Sequence, residues 1–223
     1  TPVAYVGATA CAQIIYTAHT SIQCQTPAGQ GSVPIRVDAG GYSVTASTQF
    51  SYAYPVISSI SSSSTTTQGG YLLTITGTSF GTSPSALVGG NVCSTAVTGG
   101  SASHTQVVCS MPAGEGTVPV MIMSGSHESN SVDFTYGAPT LTSASPLSGS
   151  TIGGNDVTIT GTNFGVSPFA RIGGVVCPTK NATGNPSHTQ LICTMPAGSG
   201  ANLIVEVVGT SFSLHRCYCE RKS

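Results

Sequence analysis

A phrase of eleven residues occurs three times in the chain, and its spacing limits the fold more than any other feature. It begins with a histidine, carries a cysteine at its sixth position and ends in Pro-Ala-Gly, at residues 19–29, 104–114 and 188–198. The three cysteines are separated by 85 and then 84 residues. That period is too long for a solenoid repeat and is typical of a small β-sandwich domain. The sequence therefore predicts a tandem array.

Between these phrases, apolar residues alternate with polar ones, as in strands with one buried face. Examples are Val33, Ile35 and Val37 in the first repeat and Leu73 and Ile75 in the second. Because turn signals separate the short strands and no helical period occurs, we predict all-β sandwiches. We interpret the hydroxyl run at 61–67 as a solvated turn.

The period predicts three domains, at residues 1–54, 55–137 and 138–223. The first is incomplete, because the counterpart of the segment Gly69–Gly81 would fall before Thr1. Pro55 and Pro139 stiffen the short linkers, so we expect a semi-rigid rod.

Six of the eight cysteines form one pair in each repeat, separated by 13, 16 and 16 residues: Cys11 and Cys24, Cys93 and Cys109, and Cys177 and Cys193. This regularity predicts a disulfide within each repeat and an oxidising compartment, outside the cell or at its surface. Metal sites and free thiols are the alternatives. The short cysteine knuckles of structural zinc do not occur, and no histidine recurs near both members of a pair, so we predict no metal ligands.

Cys217 and Cys219 do not fit the pattern. The 84-residue period aligns Tyr218 with Phe134, which places Tyr218 inward and both cysteines on the outer face of the final strand. These cysteines could link to another chain, pair with a continuation of this chain, or remain unpaired.

Several phrases recur in fixed order: Gly-Gly-x-x-Leu/Val-Thr-Ile-Thr-Gly-Thr-x-Phe-Gly, Val/Ile-Gly-Gly-x-x-Cys, Cys-x-x-Pro-Ala-Gly and Phe-x-Tyr. Together they resemble the IPT/TIG domain, an immunoglobulin-like fold shared by plexins and transcription factors. The resemblance implies tandem early-set immunoglobulin-like sandwiches. Such domains serve adhesion, ligand binding, spacing or DNA contact, so the fold alone leaves the function open. The paired cysteines favour the extracellular branch of the family.

Charged residues are scarce. They make up 6% of the chain, with a net charge of −1, where soluble domains usually have about 25%. Six dispersed Lys and Arg residues cannot neutralise a row of phosphates, which argues against nucleic-acid binding. No apolar run approaches the ~18 residues of a membrane span. Since no signal peptide or initiator Met occurs, we expect a mature or excised segment.

The recurring His19, His104 and His188 occur once per repeat, so we expect them to have structural or surface roles and not to form a shared site. The seven acidic residues do not recur as a pair that could perform acid–base chemistry. The glycine clusters lack the spacing of a phosphate-binding loop. We therefore predict no catalytic residues, no cofactor and no enzyme activity.

Asn181-Ala-Thr183 is an N-glycosylation sequon on a polar loop between Cys177 and Cys193. We expect attached glycan in a secreted eukaryotic protein and an unmodified loop otherwise.

The incomplete first repeat motivates the preferred functional hypothesis. A sandwich without its first two strands exposes an apolar groove and unpaired strand edges. Either the chain continues upstream or a neighbouring subunit packs there and adds a strand. Repeated head-to-tail contact gives a fibre, so self-association into a fibre or stalk is expected.

Two alternatives remain. The chain could be a cell-surface adhesion or receptor module that binds a protein or glycan, although it contains no Trp for a sugar-binding platform. It could also be an accessory part of a larger secreted enzyme.

Overall fold

In the computed structural model, residues 1–18, 20–97, 99–180, 187–200 and 202–209 are described in full, and residues 215–219 by their backbone. All regular structure in these residues is β-strand, which confirms the all-β prediction. Strands are numbered β1 to β22 in chain order.

The first repeat has two sheets. Four strands pair in the order β2-β1-β5-β6, and β3 pairs with β4 in a separate hairpin. In the larger sheet, Ala4 pairs with Val37 and Val6 pairs with Ile35, so that alternate residues face inward. The strands are β1 (Val3–Val6), β2 (Thr9–Ala10), β3 (Ala12–Thr17), β4 (Ser21–Gln25), β5 (Ser32–Ala39) and β6 (Tyr42–Ser51).

The second repeat has the same two layers and two additional leading strands. One sheet has the order β11-β12-β8-β7; the other has the order β10-β9-β13-β14, with β15 paired to β13. Leu73 and Ile75 on β8 and Val107 on β12 are completely buried. The strands are β7 (Val56–Ser62), β8 (Leu72–Thr78), β9 (Ser85–Val88), β10 (Asn91–Cys93), β11 (Ser101–Ala102), β12 (Gln106–Ser110), β13 (Thr117–Ser124), β14 (His127–Glu128) and β15 (Val132–Thr135).

The third repeat follows the second. Its sheets have the orders β16-β17-β20 and β19-β18-β21-β22. Val157, Ile159, Leu191, Val205 and Val207 are completely buried between them. The strands are β16 (Thr140–Ser145), β17 (Asp156–Thr162), β18 (Phe169–Ile172), β19 (Val175–Cys177), β20 (Gln190–Thr194), β21 (Leu203–Val208) and β22 (His215–Cys219).

The chain divides into two compact units whose boundary passes through the second repeat. The first unit comprises Thr1–Ser61, Leu72–Cys109 and Val120–Val132, and the second comprises Ser62–Tyr71, Ser110–Pro119 and Asp133–Ser223. The first repeat and part of the second thus form one unit, and the remainder of the second repeat forms another with the third. The repeat boundaries read from the sequence stay predictions.

One recurring hydrogen-bond pattern explains why two of the sequence phrases occur together. The Phe80 N–H donates to the His104 carbonyl over 2.9 Å, and the Phe164 N–H donates to the His188 carbonyl over 2.8 Å. Both phenylalanine side chains are completely buried. A Cβ on Gly77 would lie 2.7 Å from the Phe80 ring, so glycine is required where the ring packs on the strand. The Gly-Thr-x-Phe-Gly turn is therefore held by the backbone of the histidine phrase.

A second pattern joins the Pro-Ala-Gly turn to the last strand of a repeat. The Tyr136 hydroxyl donates to the Pro112 carbonyl over 2.8 Å, and Tyr52 makes the corresponding 2.9 Å bond to Pro27. A Cβ on Gly114 would lie 2.6 Å from the Tyr136 ring. Burial raises the pKa of Tyr136 to about 12, with Tyr71 adding to the effect, so the phenol stays protonated as a donor. The Pro-Ala-Gly turn thus leaves space for the tyrosine ring, and the tyrosine hydroxyl in turn satisfies a carbonyl of the turn.

Candidate functional site on the first repeat

The structure joins the three cysteine pairs by disulfides, with Cα–Cα distances of 5.6 Å for Cys11 and Cys24, 5.4 Å for Cys93 and Cys109, and 5.5 Å for Cys177 and Cys193. In the second and third repeats, each disulfide joins strands of the two different sheets. In the first repeat, it joins β4 to Cys11, which directly follows β2 of the other sheet. The cysteines of the second and third repeats are nearly or completely buried, whereas Cys24 is only half-buried. The first disulfide is thus the most open of the three.

The first repeat has a much smaller core than the third. Among the residues that the structure describes, its cluster contains three buried residues, Ala4, Val6 and Cys11, whereas twelve are buried in the corresponding cluster of the third repeat. Ile22 and Cys24 on β4 are half-buried, although the residues at the same positions of the third repeat, Leu191 and Cys193, are completely buried.

The exposed interior of the first repeat forms one groove. A cavity of about 380 Å³ lies over β1, β4 and β5 and is lined by Val6, Cys24, Ile35 and Phe50 among others. A second cavity, of about 460 Å³, is also lined by Ile22 and Val37, so the two lie side by side. Among the described residues that line them, none is charged. We call this surface the open face of the first repeat.

The groove lies where the leading strands run in the other repeats. In the third repeat, β17 pairs with the edge of β20 in the same sheet, with Val157 opposite Cys193 and Ile159 opposite Leu191. In the first repeat, β4 pairs with β3 and with no other strand of the described chain. One edge of β4 is therefore unpaired, and the side chains beneath it are accessible.

Beside the open face, the first and second repeats meet within the first compact unit; we call this contact the first joint. The His127 Nε2 atom lies 3.2 Å from the Ser32 hydroxyl and 3.3 Å from the Ser51 hydroxyl. The Tyr54 ring stacks on the imidazole with a centroid distance of 4.0 Å. The Gln30 side-chain carbonyl accepts the Ser83 N–H over 2.8 Å. Serine, glutamine, tyrosine and histidine side chains therefore form this joint.

The second and third repeats meet within the second unit at what we call the second joint. The Asn163 side-chain carbonyl accepts the Thr67 N–H over 3.3 Å, and the Asn163 amide donates to the Ala138 carbonyl over 3.1 Å. The Thr67 hydroxyl lies 2.9 Å from His188 Nδ1. Thr67 also accepts the Gly114 N–H at its carbonyl.

Thr67 corrects one sequence prediction. The hydroxyl run at 61–67 is not simply a solvated turn, because Ser61 and Ser62 belong to β7 and Thr67 is completely buried. The prediction was wrong for Thr67 because it counted all hydroxyl groups as solvent-seeking. The Thr67 N–H and hydroxyl find partners in the second joint, and its carbonyl accepts from Gly114 in its own repeat, which offsets the cost of burial.

The recurring histidines differ in their surroundings. His104 is exposed and His188 is half-buried, while His19 lies outside the described residues. Burial lowers the pKa of His188, and the Glu115 carboxylate acts in the opposite direction. The neutral imidazole is thus favoured in the folded chain. The unfolded chain takes up its proton first, so this group contributes stability near neutral pH that is lost as the pH falls below about 6.5.

Sequence reasoning did not find two residues of the joints. His127 is 4% exposed and Thr67 is completely buried, but neither belongs to the repeated phrases. The 85-residue period aligns His127 with Tyr42. Because no histidine recurs at this position, the repeat pattern could not point to His127.

Other predicted site residues lie outside what can be described. Asn181 is outside the described residues. The backbone of β22 pairs Cys217 with Val205 and Cys219 with Leu203, and the side-chain predictions for these cysteines and for Tyr218 fall outside the described part. In that part, no group of three His, Cys, Asp or Glu residues is placed to hold a metal ion. Nor does it contain a helix with the length and apolarity to span a membrane.

The IPT/TIG domain profile matches residues 1–52, 55–136 and 139–216, nearly the whole chain. The chain belongs to the IPT/TIG family. Human Fibrocystin-L is 34% identical in an alignment of 124 residues that covers 51% of this chain and 3% of that protein. The IPT/TIG chain thus spans a small part of this much longer relative.

Among solved structures, the plexin A4 extracellular region, domains 1 to 8, is 18% identical with a TM-score of 0.39, over 99% of this chain and 30% of that chain. A surface glycan-binding protein from Prevotella bryantii is 15% identical with a TM-score of 0.43, over 75% of this chain and 42% of that chain. The IPT/TIG repeats of this chain each contain a disulfide, which is typical of proteins in an oxidising compartment outside the cell. The IPT/TIG protein is extracellular or at the cell surface.

Proposed function

We propose that the chain is a non-enzymatic structural segment of an extracellular fibre or stalk, in which a neighbouring subunit covers the open face of the first repeat by head-to-tail contact. Such a contact joins two different surfaces, so it can propagate from subunit to subunit without closing.

The observation that carries this proposal is the difference in burial between equivalent residues. Ile22 and Cys24 are half-buried, whereas Leu191 and Cys193 are completely buried. Covering the open face would remove apolar surface from water, at about 25 cal/mol per Å² of apolar area. It would also pair the edge of β4, which is otherwise a template for association with another strand.

The assembly state of the 223-residue chain tests the proposal. We expect sedimentation velocity to show species that grow with concentration, and negative-stain images of the concentrated sample to show linear particles. An Ile22→Asp variant should remain monomeric, because a carboxylate in the groove would lose its hydration without a partner.

The matched control is Ile152→Asp on the third repeat, where Ile152 is 84% exposed. This variant should assemble like the parent chain. A parent chain that remains monomeric over the full concentration range would refute the fibre or stalk function.

A second candidate is an adhesion or receptor module that binds a protein or glycan. It is favoured by Tyr42 and Val44, which are 80% and 68% exposed and lie two residues apart on the same face of β6. Exposed aromatic and aliphatic side chains together are typical of recognition surfaces. A glycan array and a pull-down with the chain and its Tyr42→Ser, Val44→Ser variant would test this function, and ligand capture unaffected by the double change would contradict it.

A further inference from the structure

The second repeat carries apolar side chains on the outer face of its sheet β10-β9-β13-β14. Val92, Leu87 and Met121 lie side by side in one row across β10, β9 and β13. The row points away from the core, because the residues before and after Leu87 and Met121 are buried. Val92 is 65% exposed, and Leu87 and Met121 are half-buried. Met123, two residues further along β13, extends this surface, which we call the apolar outer face.

The fold does not require apolar residues at these positions. In the first repeat, the same row consists of Ala10, Tyr5 and Arg36. The Arg36 guanidinium lies 4.2 Å from the centre of the Tyr5 ring, and its Nε atom lies 3.2 Å from the Asp38 carboxylate. The first repeat thus satisfies a charged row by contacts of its own. An apolar row at the same place does not serve the core, and contiguous apolar surface of this kind is typical of a contact with another molecule.

The charge beside the apolar outer face limits what can bind there. Glu128 is exposed and lies opposite Met123 on β14. Residues 55–137 contain three acidic residues and no Lys or Arg. Two copies of this face packed on each other would therefore bring carboxylates together without a cation. A complementary surface is apolar and carries a basic residue.

The third repeat has such a surface at the equivalent row of its sheet β19-β18-β21-β22. The row consists of Val176, Arg171 and Glu206. Val176 is 50% exposed, Arg171 is exposed, and the guanidinium lies 5.7 Å from the centre of the half-buried Phe169 ring. In register, Arg216 of β22 follows Glu206, so the row contains two basic residues and one acidic residue. Apolar groups and an excess of positive charge thus occur together here.

We propose that the apolar outer face of the second repeat binds a second copy of the chain through the outer face of that copy's third repeat. The Arg171 guanidinium of one copy meets the Glu128 carboxylate of the other, and Val176 packs on Leu87 and Met121. Sheets that pack face to face in this way lie about 10 Å apart.

This inference rests on the proposed function, because both require copies of the chain to associate, and it names surfaces away from the open face. Each outer face offers far fewer residues than the roughly 20–30 per partner of a stable interface. The contact therefore adds to the head-to-tail contact and does not replace it.

Charge reversal tests the contact on the full 223-residue chain. Sedimentation velocity gives the concentration at which half of the chain is assembled. Glu128→Arg and Arg171→Glu should each raise this concentration about fivefold, because repulsion replaces a weak attraction. A chain with both changes should return to within about twofold of the parent, because the pair forms again with its charges exchanged. A variant that only disturbed folding would not be rescued by the second change.

A matched pair of substitutions tests the apolar part of the contact. Val92→Asp should raise the half-assembly concentration about tenfold, because the carboxylate would lose its hydration against an apolar surface. Ala10→Asp, at the same position of the row in the first repeat, is the control and should assemble like the parent. Both positions are exposed, so both variants should unfold in urea at the parent's midpoint. Unchanged assembly of Val92→Asp, or two charge reversals whose effects add instead of cancelling, would overturn the inference.

The two proposals can fail separately. If the parent chain forms linear particles that neither Val92→Asp nor the charge reversals weaken, the outer-face contact is wrong while the fibre stands. If the parent forms only closed dimers that the reversals weaken and the double change restores, the outer-face contact stands and the fibre is wrong.

Discussion

Removing the same apolar bulk from equivalent positions of the first and third repeats should have very different consequences. Ile22→Ala and Leu191→Ala each delete three carbon atoms at the position two residues before the second cysteine of a repeat. At about 0.8 kcal/mol per buried carbon, full burial corresponds to about 2.4 kcal/mol of transfer free energy. Leu191 is completely buried, and the cavity left behind adds to this value, so we expect a loss of about 3–5 kcal/mol.

Ile22 differs from Leu191 both in its burial and in the cavity that its truncation would leave. It is half-buried, which reduces the transfer contribution to about 1.2 kcal/mol, and it lines a groove that is already open, so truncation creates no enclosed cavity. We expect Ile22→Ala to destabilise the first repeat of the monomeric chain by about 1 kcal/mol. Once the open face is covered, the same change should cost about as much as Leu191→Ala.

Native-state hydrogen exchange is the suitable assay, because it reports the free energy of opening for each repeat separately. Dilute monomeric chain would be compared with assembled chain, using amides of β4 for the first repeat and of β20 for the third. A loss for Ile22→Ala in the dilute monomer as large as that for Leu191→Ala would refute the description of an open first repeat.

Three further predictions concern the closed repeats. Lowering the pH from 7.5 to 5 should reduce thermal stability through His188, whose pKa burial lowers; His188→Asn should lose this part of the pH dependence in calorimetric melts. Tyr136→Phe should cost about 1 kcal/mol in urea unfolding, because the Pro112 carbonyl loses its donor. Replacing Cys93 and Cys109 together by serine should cost about 3 kcal/mol in the same assay, and a stability equal to that of the parent would contradict a structural role for this disulfide.

The tandem architecture could be predicted because its signals are local and periodic. Alternation at Leu73 and Ile75 marks a strand with one buried face, and both residues are completely buried. The repeated phrases could be recognised as one set because backbone hydrogen bonds join them, as between Phe80 and His104. This contact recurs in the third repeat between Phe164 and His188, so the sequence contains its signal more than once.

The joints could not be predicted for the opposite reason. The burial of Thr67 depends on Asn163 and His188, which lie 96 and 121 residues further along the chain. Nothing in the Ser/Thr run at 61–67 distinguishes Thr67 from its neighbours, so the sequence could not predict these partners. His127 likewise meets Ser32 and Ser51 only after two repeats have packed together.

The scarcity of charged residues agrees with the kind of contact that joins the repeats. The ion pairs found in the described chain, Arg36 with Asp38 and Lys180 with Asp156, each lie within a single repeat. The joints instead use hydroxyl, amide and imidazole groups, whose hydrogen bonds are not weakened by screening as ion pairs are. The hydrogen bonds within each joint should therefore depend little on salt. The second joint responds to pH through His188, because burial lowers the pKa of its imidazole while the Glu115 carboxylate opposes this effect.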